Sequence, residues 1–589
     1  MNSEPIKFQF SDYLWPFGVS LLTGLVSLYV ATLGLFAMGV SITCWHMLAF
    51  LLPAGGAAWL AVSGLASNRV KAVGGLLLGQ FGTIGLLAVV ATQFDDLSYD
   101  GMNVRIEPVI ALSAGWNPVK DPAGASLPSL AKTFPYLQGS TSAAAGYQYT
   151  LGSIISSNLA NWAGSLNAAK AVTPLLVLVA FGIAHGALSA LGLPSGWRLS
   201  VALMAALNPV AIYQSSSFYV DGHTACLFTA MIFAALRLLV APMDATGVLA
   251  LVVSFLGLSA AKTSGVLYGG IIDVVFLAFY AVTHLKKLKP ILIFLAVSAL
   301  ITWPAGMLFR KFGGFPSFSV AYLKEATGSG PGYGYGGGAS SIVALPKLDR
   351  AQAFLVSYFA PTEIVADKVK TKPLFWLTRP ELSVFEDLTP DARAGGFGPL
   401  YGTALVLSLI AAGSLFFWRG PPPATLFPIL PVGISLGLTQ TWWARWAPQG
   451  WLLPICLLLP VLACLAREGG GKRRWLPQLS VFTGLLNSGL ILLFYSVGCV
   501  KAQRILNSQL AFLKTLPQPL SVHMPVFLSN RTWFIREGMA FQPLGDPPPK
   551  PRMTLMRTQT RVALVGDGQS RQADSPMAAE WRKRDLIEE

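Results

Sequence analysis

Three carboxylates fall within six residues in Asp95-Asp96-Leu97-Ser98-Tyr99-Asp100, directly after the apolar run 72–93. A carboxylate where an apolar segment meets water is placed to take a proton from a hydroxyl at that surface, and such base chemistry requires only hydrogen-bond reach. A solvated helix end would also account for acids here, so the weight falls on what accompanies them. Asp221 and His223 follow the Pro-containing stretch Asn208-Pro209-Val210-Ala211-Ile212-Tyr213-Gln214 and stand at the same expected depth as Asp95. They are read as groups that orient an acceptor or a divalent cation (Mg or Mn), although no ligand spacing supports a metal, and a lone histidine beside a loop is more often structural. Lys262 interrupts two apolar runs in Ala260-Ala261-Lys262-Thr263-Ser264-Gly265, and Arg445 sits in Trp442-Trp443-Ala444-Arg445-Trp446. Both suit a phosphate, the ammonium through charge-assisted hydrogen bonds and the guanidinium through its planar fork. Lys262 also suits a lysine snorkelling from a helix end, and the tryptophans suit an ordinary interfacial girdle. Asp273, deep in an apolar run, has no partner evident in sequence.

The elements that must position these residues are membrane spans. The chain of 589 residues is 53% hydrophobic and 12% charged, with a mean hydropathy of +0.57. Apolar runs long enough to cross about 30 Å of hydrocarbon recur throughout, which excludes a large soluble core. We expect an all-α polytopic membrane protein of about 13 spans: 16–38, 45–66, 72–93, 171–191, 199–219, 223–240, 248–261, 264–283, 290–309, 396–417, 425–440, 451–466 and 475–498. With the N-terminus inside, the inner connections hold Arg69, Lys71, Arg198, Lys286, Lys287, Lys289, Arg419, Arg467, Lys472, Arg473 and Arg474 against the acids Asp244 and Glu468. The short outer ones hold only Lys262 and Arg445, the asymmetry that the positive-inside rule describes. This distribution explains the net charge of +15 through membrane lipids without nucleic acid.

That topology places Asp95, Asp221, Arg445 and two large loops, 94–170 and 310–395, on the outer face. The first loop should carry short helices along the membrane surface, with a small-residue run over 139–146. The second contains a Gly-rich stretch, 328–338, that serves equally as a mobile substrate loop or a linker. The tail, 499–589, shows only short strand-like runs at 522–528 and 561–565 and a polar end. It reads as a small outer appendage with a disordered end and no chemistry of its own. The five cysteines lie in or beside apolar runs and read as small core residues. The first apolar run lacks a positive leader and a cleavage site, and reads as a retained helix.

Taken together, these stretches resemble the GT-C superfamily of polyprenyl-phosphate-sugar-dependent glycosyltransferases, in particular bacterial relatives of protein O-mannosyltransferases and lipid A aminoarabinose transferases. Asp95-Asp96-Leu97-Ser98-Tyr99 is similar to the D-x-L-S-Y stretch opening the first large outer loop of that family. The blocks 208–221, Lys262-Thr263-Ser264-Gly265, Gly395-Gly396-Phe397-Gly398-Pro399-Leu400 and 445–454 resemble later ones, the last of these stretched by inserted residues. The likeness covers roughly 72–466. It leaves a helix pair (1–71) ahead, and a last span (467–498) and the tail (499–589) behind. Asp100 stands where histidine is common in the bacterial relatives.

The resemblance implies an inverting transfer of a sugar from a polyprenyl-phosphate donor, undecaprenyl phosphate in a bacterium, to a lipid, glycan or protein acceptor. Its site would lie on the periplasmic face of the inner (plasma) membrane. It also implies Asp95 as the catalytic base, with Asp96 an adjacent candidate. In that reading Lys262 and Arg445 hold the leaving phosphate, and Asp100, Asp221 and His223 line the substrate site. Two rivals stay open: a polysaccharide polymerase or ligase using a diphosphate-linked donor, and a lipid or polysaccharide transporter. The latter predicts ionisable residues at mid-membrane depth in paired repeats, and no repeat is found.

Overall fold

The structure, a computed structural model, describes residues 10–63, 65–66, 68–122, 124–133, 149–283, 350–363, 371–388, 394–414, 420–438, 443–467, 474–524, 528–548, 552–564 and 586–588. The expected span 290–309, the stretches 139–146 and 328–338 and most of the loop 310–395 lie outside these residues, as do Trp442 and several of the basic residues used for orientation.

Most of the described residues are helical. In order come α1 (Leu14–Ala37), α2 (Leu48–Ala61), α3 (Arg69–Thr92), α4 (Ile106–Ser113), α5 (Leu127–Thr133), α6 (Leu151–Ala163), α7 (Val172–Ala190), α8 (Ser195–Ala206), α9 (Pro209–Tyr213) and α10 (Asp221–Val240). They are followed by α11 (Ala245–Ala261), α12 (Thr263–Thr283), α13 (Arg350–Phe359), α14 (Arg379–Glu386), α15 (Tyr401–Gly413), α16 (Ile429–Leu438), α17 (Leu453–Arg467), α18 (Trp475–Lys514) and α19 (Arg531–Arg536). Among the described residues, eight helical segments are long and apolar enough to cross a membrane, and three shorter ones are apolar. By length and composition this is a helical, multi-pass membrane protein.

The centre of the bundle is α1, α7, α10 and α11, and α10 is buried over nearly its whole length. Close packing rests on small residues, as expected where lipid supplies no hydrophobic drive between helices. A Cβ at Gly182 of α7 would lie 2.5 Å from the Leu14 carbonyl oxygen and 3.0 Å from Gly18 Cα of α1, so that crossing requires glycine.

Three sequence expectations change. The run 199–219 is not one span: α8 ends at Ala206, and Asn208 takes an extended conformation that begins α9. The physical cause is Pro209, which pushes its predecessor out of helical space, while the Asn208 side chain caps Val210 N at 3.0 Å. The run 475–498 is only the first part of α18, whose 40 residues reach about 60 Å, twice the hydrocarbon thickness. Hydropathy ends at the charges near Lys501, but helical backbone does not. Finally, α6 does not lie along a surface: Leu151 to Ala160 are all buried, and Asn158 donates to Thr32 Oγ1 of α1 at 3.1 Å. Cys44 is exposed, whereas the other four cysteines are buried as expected.

Beyond α18 the tail forms a small sheet in the order β2-β1-β4-β3-β5, made of β1 (Leu520–His523), β2 (Phe541–Leu544), β3 (Arg552–Thr554), β4 (Arg561–Ala563) and β5 (Ile587–Glu588). Only the β1–β2 pair is parallel. The appendage is fastened to α18 by Gln509, which donates to Thr554 O at 3.0 Å and accepts from Met556 N at 2.8 Å. It is fastened to α4 by Arg531, which grips Glu107 through two bonds of 3.0 Å.

Candidate active site

The acidic stretch leaves the end of α3 and is at once buried, Asp95 to 5% and Asp96 to 3% exposure. The two carboxylates then part company. Asp96 accepts from Ser98 N (2.8 Å), Ser98 Oγ (2.5 Å) and Phe218 N (2.8 Å), which closes its own turn and ties it to the loop before α10. Burial pushes its pKa up, with these bonds opposing. A side chain at Gly101 would collide with this carboxylate, so the turn admits only glycine there. Asp96 is thus fully engaged in building the loop.

Asp95 faces the other way. It accepts from Asn167 Nδ2 (2.9 Å), from Gln503 Nε2 (2.8 Å) and from both guanidinium nitrogens of Arg536 (2.6 and 3.1 Å), while its own N–H donates to Gln503 Oε1 (2.7 Å). These partners come from the 3-10 turn Leu166–Ala171 ahead of α7, from the second half of α18 and from α19 in the tail. Lys170, buried in that same turn, donates to Phe94 O and Asn167 Oδ1. Burial alone would raise the pKa of Asp95, but the Arg536 hydrogen bonds and charge, helped by Lys170 and Asn167, hold it down at about 2.

The remaining predicted residues form a second network beside the first. Lys262 Nζ meets Asp221 Oδ1 at 2.7 Å, Arg445 Nε meets Asp221 Oδ2 at 2.8 Å, and the far end of the Arg445 fork binds Asp100. Asp221 opens α10, Lys262 is the extended residue (φ −154°, ψ 148°) between α11 and α12, and Arg445 precedes the 3-10 turn Pro448–Leu452. Gln214 keeps the start of α10 in place, accepting from Gly222 N at 2.8 Å and donating to Asp221 at 3.3 Å. Aromatic rings wall the cations: Arg445 lies 4.6 Å from the Tyr219 ring centre and 5.4 Å from that of Trp443, and Lys262 lies 5.4 Å from that of Trp446. Asp100 and Lys262 keep 29% and 27% of their side chains exposed, so the network opens on one side.

The structure therefore joins Asp100, Asp221, Lys262 and Arg445, and sets Asp95 in an adjoining cluster. The two are linked through Asp96–Phe218 and through Asp100 N, which donates to Tyr219 Oη at 3.1 Å. His223 is in neither. It is buried against Gly152, and its Nδ1 makes no hydrogen bond. Both Asp221 oxygens are occupied by cations, so Asp221 and His223 do not offer a divalent ion a pair of free ligands.

Sequence reading missed Asn167, Lys170, Gln503 and Arg536. Lys170, a lone charge at the head of an apolar run, was a signal available to it; the other three carried none. The tail was expected to stand apart as a small appendage; the structure instead sets its Arg536 against Asp95.

Between α4, the end of α6 and the segment Ser529–Arg536 lies a cavity of about 470 Å³, with Asp95 and Arg536 in its lining. A carboxylate, matched cations and a cavity at one end of an apolar bundle can hold a phosphate-bearing amphiphile beside a hydroxyl compound. Comparison of the chain with protein-family models, curated proteins and solved structures gave no match.

Proposed function

We propose that this protein is an integral membrane glycosyltransferase, moving a sugar with inversion from a polyprenyl-phosphate donor to an acceptor hydroxyl at the outer face of a bacterial inner membrane. The observation that carries the reading is the side-by-side placement of two clusters: Asp95 on the cavity and the Lys262–Asp221–Arg445–Asp100 network next to it. In the step proposed, the acceptor oxygen bonds to the anomeric carbon as the bond from that carbon to the phosphate oxygen breaks. The acceptor proton passes to Asp95, and the electron pair leaves on the lipid phosphate, whose growing charge Lys262 and Arg445 meet. At rest Asp95 is a weak base because Arg536 grips it. An acceptor entering the cavity replaces part of that grip, which restores basicity where the proton must go. Asp96, its oxygens committed to the loop, is assigned to positioning.

The test is Asp95→Asn in purified protein reconstituted with polyprenyl-phosphate-sugar and, separately, its diphosphate counterpart. Loss of about 10²–10⁴-fold in transfer from the monophosphate donor, with normal yield, is expected. Wild-type transfer by the variant would remove Asp95 as base. Transfer from the diphosphate donor alone would favour the polymerase or ligase reading.

A further inference from the structure

Four large apolar residues in a row are exposed outside any helix. Leu374, Phe375, Trp376 and Leu377, in the loop ahead of α14, are 40–56% exposed. The loop is nevertheless pinned. Phe375 N donates to Thr403 Oγ1 of α15 at 2.8 Å, Lys372 N to Phe359 O at 3.0 Å and Trp376 N to Pro373 O at 3.3 Å. Thr378 donates to Glu381 from its N–H (3.2 Å) and its hydroxyl (3.0 Å), and that buried carboxylate also takes Lys372 Nζ and Thr362 N. Phe375 stands in the left-handed region (φ +59°), which a bulky side chain keeps only where its surroundings impose it.

The depth of the loop follows from the register of α15 on α18. Ser408 Oγ and Ser480 Oγ form one rung at 2.7 Å, and Leu400 N with Asn487 Oδ1 forms the next at 2.9 Å. Thr403 lies between them. Asn487 is itself about 21 Å along the axis from Lys501, where the charge-free run of α18 ends. The loop therefore meets the bundle near the middle of that run, level with the exposed Phe482 and Leu486. Arg379, just past the loop, lies 4.8 Å from the Phe494 ring centre of the same helix, so the exposed residues stay within the apolar length of α18. Backbone donors at that depth have no water to meet them and must be paired within the protein. Those of Lys372, Phe375, Trp376 and Thr378 are paired, and Pro373 has none. A loop in water needs no such pairing and rarely presents a contiguous apolar patch. We infer that 373–377, expected from sequence in an outer loop, is immersed in the bilayer, its side chains extending the lipid-facing surface of the bundle against the acyl chains of bulk lipid. The inference stands on the membrane reading and is independent of the transferase one.

The experiment places nitroxide labels on the full-length protein in nanodiscs, in a Cys44→Ser background that removes the exposed cysteine. Leu374→Cys, Trp376→Cys and Leu377→Cys are compared with Leu493→Cys and Lys501→Cys, both on exposed positions of α18. Collision rates with oxygen, which concentrates in hydrocarbon, and with a water-soluble nickel chelate report where each label sits. The three loop labels should match Leu493→Cys, with the ratio of oxygen to nickel collisions at least fivefold above that at Lys501→Cys. A ratio like that of Lys501→Cys would put the loop in water and overturn the inference. Low collision with both reagents would overturn it too, since another stretch of protein would then cover these residues. Adding polyprenyl phosphate at one equivalent should leave the oxygen rates unchanged, and a drop of twofold or more would assign the face to that chain in place of bulk lipid. Hydrogen exchange on the unsubstituted protein checks that labelling has not moved the loop: the amides of 375 and 376 should exchange as slowly as those of 482–493, and exchange at the rate of an open loop would sink the proposal.

Discussion

The buried pair Glu107–Arg531 is the joint on which the tail's share of the site depends, and it can be broken in a way that separates pairing from packing. Both side chains are nearly sealed, at 4% and 2% exposure, and the guanidinium meets the carboxylate through two bonds of 3.0 Å. Replacing Arg531 with Met keeps most of the volume but takes from the buried Glu107 carboxylate the guanidinium that meets both of its oxygens, which costs about 3–5 kcal/mol. Removing both charges together, in Glu107→Leu with Arg531→Met, is near neutral or stabilising, because the desolvation penalty disappears with the attraction. The appendage should therefore undock in the single variant and not in the double. Since one rigid two-state unfolding is not expected of a multi-element membrane protein, limited proteolysis of the tail in nanodiscs is the suitable assay. When opening is fast, cleavage follows the open population, so 3–5 kcal/mol appears as roughly a 100- to 4,000-fold faster nick within 528–564. The double variant should return to within about tenfold of wild type on the same argument. Transfer activity should follow the same order, because undocking carries Arg536 away from Asp95. A single variant cut at the wild-type rate, or a double variant cut as fast as the single, would refute the claim that this pair holds the tail.

Arg536→Gln removes the main influence lowering the pKa of Asp95 and leaves burial, which raises it. A carboxylate needed in its ionised form loses function as pH falls through its pKa, so the acid limb of the transfer rate should move to higher pH in the variant; coincident limbs would contradict the assignment. Arg445→Lys keeps the charge but cannot reach Asp221 and Asp100 at once, as the planar fork does. It should raise KM for the phosphate donor about tenfold or more, and an unaltered donor KM would separate Arg445 from the phosphate.

How much of this was legible in the sequence follows from what a linear pattern can carry. Hydropathy locates where helices enter and leave the apolar layer, and charges at those ends stand out because burying them is costly. That is why Asp95, Asp221, Lys262 and Arg445 were visible, and why α1, α3, α7, α10 and α12 fall near their expected positions. What hydropathy cannot carry is the path of a helix after it leaves the membrane, or which distant polar segment returns to cover an exposed acid. Gln503 lies on helix that outruns its apolar stretch, and Arg536 meets Asp95 from 441 positions away, in a segment whose composition resembles any solvated tail. Both gaps have one cause: Asp95 is covered in part by the stretch of α18 that continues past its apolar run and by α19 in the tail, and hydropathy marks neither. A carboxylate taken from water must find partners, and when the bundle supplies only Asn167 and Lys170, the rest has to come from outside it. Burial of an acid just past the end of a span is therefore itself a reason to seek a cation in the extramembrane chain, and here that search leads to the tail.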